Sequence, residues 1–579
     1  MIRPENSVDE HLRFDCFQLD VTTGELRKSG ALVKLPPQPA KILILLARNA
    51  GRLVTREDIR NEIWPTDTFV DFEQGLNHCI KLVRAALGDD ARAPRFIETL
   101  QRRGYRFLAP IERAAAAADK AVLAVVPFAN LSGDPDQEYF SDGLTDEMIT
   151  QLARLNPAKL GVIGRTSSMK YKKTARTIVE IGRELGAAYV LEGSVRRAAG
   201  RVRITAQLVR AADHTHVWTR SYDRDFDDIL TLQSDIAQAI AREIDIQLAP
   251  GEAARLARMR SVGPEAHEAY LKGRYFWNKR TADAFKKGIE YFTRAIEHEP
   301  DYAAAYDGLC DSYVMLACRG VLPVTETFKK AMEAAQHALT IDPDLGEAHA
   351  SLAHVRLHSW DWDGLDGDFR RALDLNPGYA MAYYWYAEYL IASGRPEEAV
   401  AMVRKALSID PLSSVLNASH GMILYLARRL PESMDALRRG LEVDPAHFLL
   451  HFRLGLVCMQ AGSSRDSIDE MQRAVELSGR STEALAGLAQ AYAVAGMDDA
   501  MDKTLGDIVN RTDRYVSPYN VARVHAAHRD PERTFEWLER AYAERNPDLI
   551  ELRTDPVFDS VRAEPRFADL LRRVGWRGL

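Results

Sequence analysis

Apolar positions in the first hundred residues change their spacing several times, and each change marks an element. Residues 13–19, 25–27 and 32–35 are short runs separated by turn residues at Thr22-Thr23-Gly24 and Ser29-Gly30, the pattern of a small antiparallel sheet. Pro36-Pro37 ends it. From 38 to 49 the period becomes helical, with Ile42, Leu45 and Leu46 inward and Gly51 just beyond. Thr55, with Asp58 three residues on, predicts the cap of a second helix over 56–64, and Pro65 closes it. After a loop at residues 64–71 (Trp64 to Asp71), Leu76, Ile80, Val83 and Leu87 recur on one helix face. The opposite face carries Gln74, Asn77, His78, Lys81 and Arg84 and no apolar side chain. Two strand-like runs, 96–100 and 105–108, follow, joined by Arg102-Arg103-Gly104. A polar-faced helix followed by a hairpin with a basic tip predicts an α+β winged helix-turn-helix. Such a helix fits the major groove of double-stranded DNA, and the wing tip reaches phosphate or the minor groove.

Residues 120–249 alternate strand and helix signals. The run 121–128 is continuously apolar, as in a buried central strand. A helix is expected at 139–155 with Leu144, Met148, Ile149 and Leu152 in phase, a strand at 160–164, and a helix at 177–185 stopped by Gly186. Strands at 189–197, 202–209 and 216–224 and a helix at 229–248 complete an α/β sandwich with an antiparallel portion.

From residue 264 onward the chain repeats every 34 residues. Pro343, Pro377, Pro411 and Pro445 keep that interval, as do Ala338, Ala372, Ala406, Gly440 and Ala474, and Ala353, Ala387, Gly421, Gly455 and Ala489. Small residues where two helices meet, with Pro after the second, predict an all-α tetratricopeptide-repeat solenoid. The spacing implies roughly eight helical pairs around a curved groove. The pattern weakens beyond Thr512, where residues 517–545 still read as a pair and 555–574 as a cap.

Net charge alters this picture little overall but does so locally. The chain has 76 Lys and Arg against 83 Asp and Glu; residues 1–113 hold 18 against 16, and the remainder is acidic. The basic residues of the first region gather late, at Lys81, Arg84, Arg92, Arg95, Arg102, Arg103 and Arg106, so one patch is left to meet an anion. Cys16, Cys79, Cys310, Cys318 and Cys458 form no CxxC pair and read as small buried hydrophobes. The longest apolar runs, 42–47 and 121–129, are far short of the ~20 residues of a membrane helix. The polar amino terminus has no signal-peptide core, so a cytoplasmic, nucleoid-associated protein is expected.

Catalytic signatures do not accumulate. GxxxxGK[ST], HExxH and GxSxG do not occur in the sequence. His214-Thr-His216 lacks a third ligand nearby and reads as a solvated turn. Asp142 and Glu147, beside a helix start, read as capping and dipole pairs. The expectation is no enzyme, no cofactor and no metal. Trp360, Trp362 and the run Tyr383-Tyr384-Trp385-Tyr386 are either repeat core or a peptide-binding surface.

The element order, with LVTREDIRNEIWP, LNHCIKLVRAALGDD and IETLQRRGYRF, resembles the OmpR/PhoB-type DNA-binding domain over residues 12–111. Placing that domain first resembles ToxR/CadC-type one-component regulators, although the Ala-rich linker 112–119 (Ala114 to Asp119 at its core) stands where those carry a membrane helix. VVPFANLSGD, YVLEGSVRR, VRITAQLV and HVWTRSYDR resemble a TolB/FlgO-type domain at 120–249, and the repeats run from 264 to 579. The resemblance implies a sequence-specific regulator of transcription; one recognition helix reads only a few base pairs, so a homodimer on paired half-sites is expected. Asn77, His78, Lys81 and Arg84 are then candidates for base edges or phosphates, with Gln74 on the same face and Arg102 and Arg103 at the wing tip. Arg106 is either a further contact or a solvated strand residue. The equivalent of loop 64–71 in that family can face RNA polymerase, and the repeat groove suits a protein or peptide. The competing expectation is a repeat-protein scaffold whose winged helix contacts protein.

Overall fold

The computed structural model describes residues 11–15, 17–20, 24–28, 31–33, 35–63, 72–90, 94–100, 103–109, 112–113, 120–198, 200–225, 229–244, 262–512 and 514–576. Cys16, the Thr22-Thr23 and Ser29-Gly30 turns, loop 64–71, Arg92, Arg102, linker residues 114–119 and the end of the expected helix 229–248 lie outside the described residues. The chain forms two compact units, Met1–Lys120 and Ala121–Leu579.

In the first unit, β1 (His11–Phe14), β2 (Phe17–Asp20), β3 (Leu26–Lys28), β4 (Ala31–Val33) and β8 (Glu112–Arg113) form an antiparallel sheet in the order β4-β3-β2-β1-β8. The single run expected at 13–19 is instead a hairpin. Asp15 adopts φ 50, which Asp tolerates better than most residues, and Phe14 pairs with Phe17 with rings stacked at 5.6 Å. Helix α1 (Pro37–Arg48) buries Ile42, Leu43 and Leu46, so Leu43 takes the inward place expected of Leu45. Helix α2 (Arg56–Ile63) starts at the predicted cap, where Asp58 N donates to Thr55 Oγ1 at 3.1 Å and Thr55 N to Asp58 Oδ2 at 2.9 Å.

The second sheet contains a strand the apolar pattern did not show, β5 (Leu53–Thr55). It pairs with β7 (Gly104–Phe107), which pairs with β6 (Ile97–Leu100). Phe14 meets Phe107 edge-on at 5.0 Å, and Phe17 meets Phe96 at 5.6 Å, so the two sheets share one aromatic core. Gly104 is required where β7 approaches β5: its φ is +152, and a Cβ there would stand 2.0 Å from the Val54 carbonyl oxygen.

In the second unit, β11 (Leu160–Val162), β9 (Ala121–Val125) and β12 (Tyr189–Ala198) run parallel, and β12, β13 (Arg201–Arg210) and β14 (Thr215–Asp225) run antiparallel. The short strand β10 (Ala129–Asn130) also pairs with β12. Helices α4 (Glu138–Ala153) and α6 (Ile229–Glu243) cover the sheet, burying Leu144, Met148, Leu152, Leu232, Ile236 and Ile240. Asp142 and Glu147 lie inside α4 rather than at its start: Asp142 pairs with Lys172 at 2.6 Å and Glu147 faces His267 at 3.4 Å. A short helix the sequence pattern did not mark, α5 (Arg165–Met169), follows β11.

Among the described residues from Pro264 to Ala543, sixteen helices form eight successive antiparallel pairs. The small residues of the 34-residue period sit where helices touch: a Cβ on Gly421 would lie 2.3 Å from Leu437, and one on Gly440 2.6 Å from Leu450. The α/β part packs on this array. Asp410, at the end of helix Pro396–Ile409, accepts from Thr166 N at 3.2 Å, Ser167 N at 2.7 Å and the Ser167 hydroxyl. Ile409 O accepts from Gly164 N at 2.7 Å, and Arg154 pairs with Glu347 at 2.5 Å.

The carboxyl-terminal cap does more than end the solenoid. Residues 547–576 return across the inner helices of earlier repeats. Trp362 Nε1 donates to Val574 O at 2.9 Å, Trp362 meets Trp576 at 4.0 Å, and Arg428 grips Asp559 through both guanidinium nitrogens at 2.6 and 2.7 Å. Part of the expected groove is thus filled by the chain itself. Trp360, Tyr383, Trp385 and Tyr386 are buried in the repeat core, while Trp362 and Tyr384 are partly buried against it. Among the described residues no helix is long and apolar enough to cross a membrane.

Two outcomes follow. Gly104→Ala drives a methyl into the Val54 carbonyl and should lower the stability of the first unit by roughly 1–3 kcal/mol, read as an earlier denaturation midpoint; an unchanged midpoint would show that the wing has room to shift. Asp410→Ala strips the Ser167 amide of its acceptor, at a cost of about 1–3 kcal/mol. Amide hydrogen exchange at Thr166 and Ser167 should speed up while that of helix Pro396–Ile409 stays slow.

Candidate nucleic-acid interface

Helix α3 (Phe72–Leu87) is built on one apolar stripe. Leu76, Cys79, Ile80, Val83 and Leu87 are buried, with Cys79 acting as the small hydrophobe its setting predicted. The other face presents Gln74, Asn77, His78 and Lys81 to solvent. Burying the stripe against α1 and the aromatic core therefore exposes the polar row without any further device.

Strand β7 is held to this helix by its one tyrosine. The Tyr105 hydroxyl donates to Asn77 Oδ1 at 3.2 Å and accepts from Arg56 Nη2 at 3.4 Å, with the Arg56 guanidinium 5.5 Å from the ring centre. Arg56 also pairs with Glu73 in the first turn of α3. Burial pushes the Tyr105 hydroxyl above its ordinary pKa, so it stays protonated and serves as a donor. Arg56 and Tyr105 were missed as site residues because their role depends on a contact between α2, α3 and β7, which no local spacing reveals.

Arg84 departs from expectation. Its guanidinium turns back onto the wing, where Nη2 donates to Ile97 O at 2.7 Å and Thr99 Oγ1 at 2.9 Å, and Nε stands 3.7 Å from the Asp89 carboxylate. Its side chain is only 14% exposed and faces the wing rather than the solvent side of α3. Asp89, which sequence reading passed over, accepts from three successive amides: Arg95 at 2.7 Å, Phe96 at 3.1 Å and Ile97 at 2.9 Å. It thereby sets where β6 begins.

Arg103 is exposed at the wing tip, its amide donating to Leu100 O at 2.9 Å and its carbonyl accepting from Arg56 N at 3.3 Å. Arg106 sits opposite Glu98 in the strand register and pairs with it at 3.3 Å, a half-buried cross-strand pair on the wing. An open groove between α3 and the wing is lined by Arg56, Asn77, Lys81, Arg84, Asp89 and Tyr105. His214 lies in an exposed turn and His216 at the exposed start of β14, with rings 5.7 Å apart.

Residues 30–107 match the family described as transcriptional regulatory protein, C terminal. Residues 119–239 match the HilA/YgeH-like transcriptional regulator, second domain, and residues 368–419 match the tetratricopeptide repeat. The transcriptional regulator HilA of Salmonella typhimurium is 25% identical over 68% of this chain and 69% of its own length. A Rhizobium meliloti protein named as an adenylate cyclase is 36% identical over 40% of each chain, so the match leaves most of that relative unspanned. The transcriptional regulatory protein KdpE of Mycobacterium tuberculosis is 34% identical over 16% of this chain and 41% of its own. The domain set is that of a transcriptional regulator: the chain joins an OmpR/PhoB-type regulatory-protein carboxyl-terminal domain to a HilA/YgeH-like second domain and tetratricopeptide repeats.

Proposed function

We propose that this protein is a sequence-specific regulator of transcription that lays α3 in the major groove of double-stranded DNA and sets the wing on the flanking backbone. One observation carries the reading: the solvent face of α3 presents a polar row, Gln74, Asn77, His78 and Lys81, with only the small Ala85 as an exposed apolar side chain, and it lies beside the basic wing. Lys81 and Arg103 are assigned to phosphates. Gln74, Asn77 and His78 are assigned to base edges, where carboxamides suit adenine. Arg102 shares the tip with Arg103 in sequence. Arg106, paired with Glu98, contributes only after that pair opens.

One recognition helix reads few base pairs, so specific binding takes two copies on paired half-sites. The repeats supply protein contacts, including the homodimer, and loop 64–71 is the surface offered to RNA polymerase. No step in this account makes or breaks a covalent bond. The cyclase name belongs to a relative of which this chain spans two-fifths; ATP turnover by the purified chain would overturn the non-enzymatic reading. A scaffold in which the winged helix binds protein is the competing reading, and absence of duplex binding at low salt would favour it.

Two measurements test the assignment. Duplex affinity followed from 50 to 300 mM salt should fall log-linearly, and Lys81→Ala or Arg103→Ala should each flatten that slope by about one unit. An unaltered slope removes the residue from the phosphate set. Arg84→Ala should weaken binding by a similar factor across operator variants, because it loosens the wing. Selective loss at one base pair, on the order of 1–3 kcal/mol, would instead make Arg84 a base reader.

A further inference from the structure

Away from the α3 surface, one group of ligating side chains lies beneath the returning carboxyl-terminal segment. His354 and His358 stand one turn apart on helix Gly346–His358, and Glu388 reaches them from helix Ala380–Ala392. His354 Nε2 is 3.2 Å from His358 Nε2 and 3.8 Å from Glu388 Oε2, and all three ligand atoms lie within 4.8 Å of one another. Ligands about 2.1 Å from a tetrahedral ion are spaced roughly 3.4 Å apart, so this triangle has nearly the size an ion needs. Glu388 follows His354 by one repeat period, which puts both at the same position of successive inner helices.

The surroundings orient each ligand. The His358 Nδ1 faces the Pro547 carbonyl at 3.4 Å, which fixes the tautomer and leaves the Nε2 lone pair directed at the other two. The His354 ring stacks on Trp385 at 4.3 Å with planes 7° apart. Glu388 Oε1 accepts the Tyr384 hydroxyl at 2.6 Å, whereas Oε2 is buried with no hydrogen-bond partner. A buried carboxylate oxygen without a donor is costly, and a cation shared with two imidazoles removes that cost.

We propose that His354, His358 and Glu388 bind one divalent ion of the zinc class, with a fourth position open to water. Two imidazoles and one carboxylate suit zinc and its transition-metal neighbours, whereas magnesium and calcium favour sets made wholly of oxygen. The ion pins the inner face of the array and, through His358, the Pro547 carbonyl of the returning segment.

The test uses the full chain, stripped with chelator and titrated with Zn2+ alone, Mg2+ alone and Ca2+ alone. One zinc per chain should bind, change the tryptophan fluorescence through Trp385, and raise the unfolding temperature with zinc concentration. Glu388→Gln keeps the shape and the Tyr384 contact, so it should fold and bind zinc at least tenfold more weakly. His358→Gln should do the same with its helix content checked by circular dichroism. His214→Ala with His216→Ala, at the exposed turn and the start of β14, should change nothing. Failure of the native chain to bind zinc overturns the site. So does undiminished affinity in Glu388→Gln, or equal binding of magnesium or calcium.

Discussion

The relation between helix and wing hangs on one carboxylate. Asp89 follows the end of α3 directly after Gly88, whose φ of +65 turns the chain, and its side chain is fully buried. Moving an ion that size out of water costs several kcal/mol even after relaxation. Three amide donors from Arg95, Phe96 and Ile97 and the guanidinium of Arg84 offset that cost. Because the donors are consecutive backbone amides, the carboxylate fixes where β6 starts as well as how far it stands from α3. Arg84 then bridges to Ile97 and Thr99 on the same strand. The exposed row Gln74, Asn77, His78 and Lys81 owes its fixed distance from the wing to groups that are themselves withdrawn from the surface.

The second unit uses the same device between its parts. The repeat period places Asp342, Asn376, Asp410 and Asp444 at equivalent positions just before a proline. In three of them the side-chain oxygen accepts from the amide two residues on: Asp344 at 3.1 Å, Gly378 at 3.1 Å and Ala446 at 3.3 Å. Asp410 breaks the pattern. Its carboxylate goes to Thr166 and Ser167 of α5, and the amide that would have met it, Leu412 N, donates instead to Ser167 Oγ at 2.8 Å. One repeat has exchanged its local turn for a contact with the α/β part, at no net loss of hydrogen bonds.

What was legible in the sequence follows from which forces act locally. The 34-residue period survives because small residues are needed wherever two helices come within contact, so Gly421, Gly440 and Gly455 announce packing that the structure then shows. The cap Thr55–Asp58 and the polar face of α3 are equally local. Strand β5 was missed because three residues carry too little alternation, and the hairpin at Asp15 because its two short strands, HLRF and FQLD, meet across a two-residue turn that lacks Gly or Asn. Arg84 was read as outward from helical spacing alone. Spacing places the Cα, but the long side chain follows the nearest acceptors, which here belong to a strand ten and more residues later. His354 and Glu388 were one repeat period apart in plain view, yet a ligand search by short spacing looks only within a turn or two of helix.

The returning segment 547–576 bears on what the repeats are for. The inner face of the array carries polar and charged side chains, and the returning segment supplies partners for several of them. Arg523, buried, pairs with Asp555 at 3.1 Å, Tyr519 donates to the same carboxylate at 3.3 Å, and Ile550 and Glu551 close over a small cavity beside Tyr384, Glu388 and Arg453. A buried ion pair adds little net stability against an apolar pair of the same shape, but it penalises every register that leaves one charge alone. The charges therefore select which segment lies there and how it is aligned, while Trp362 against Trp576 and the Val574 carbonyl supplies the attachment. That stretch of the inner face is thus occupied by a segment of the same chain, matched to it by a buried ion pair at one end and an aromatic pair at the other.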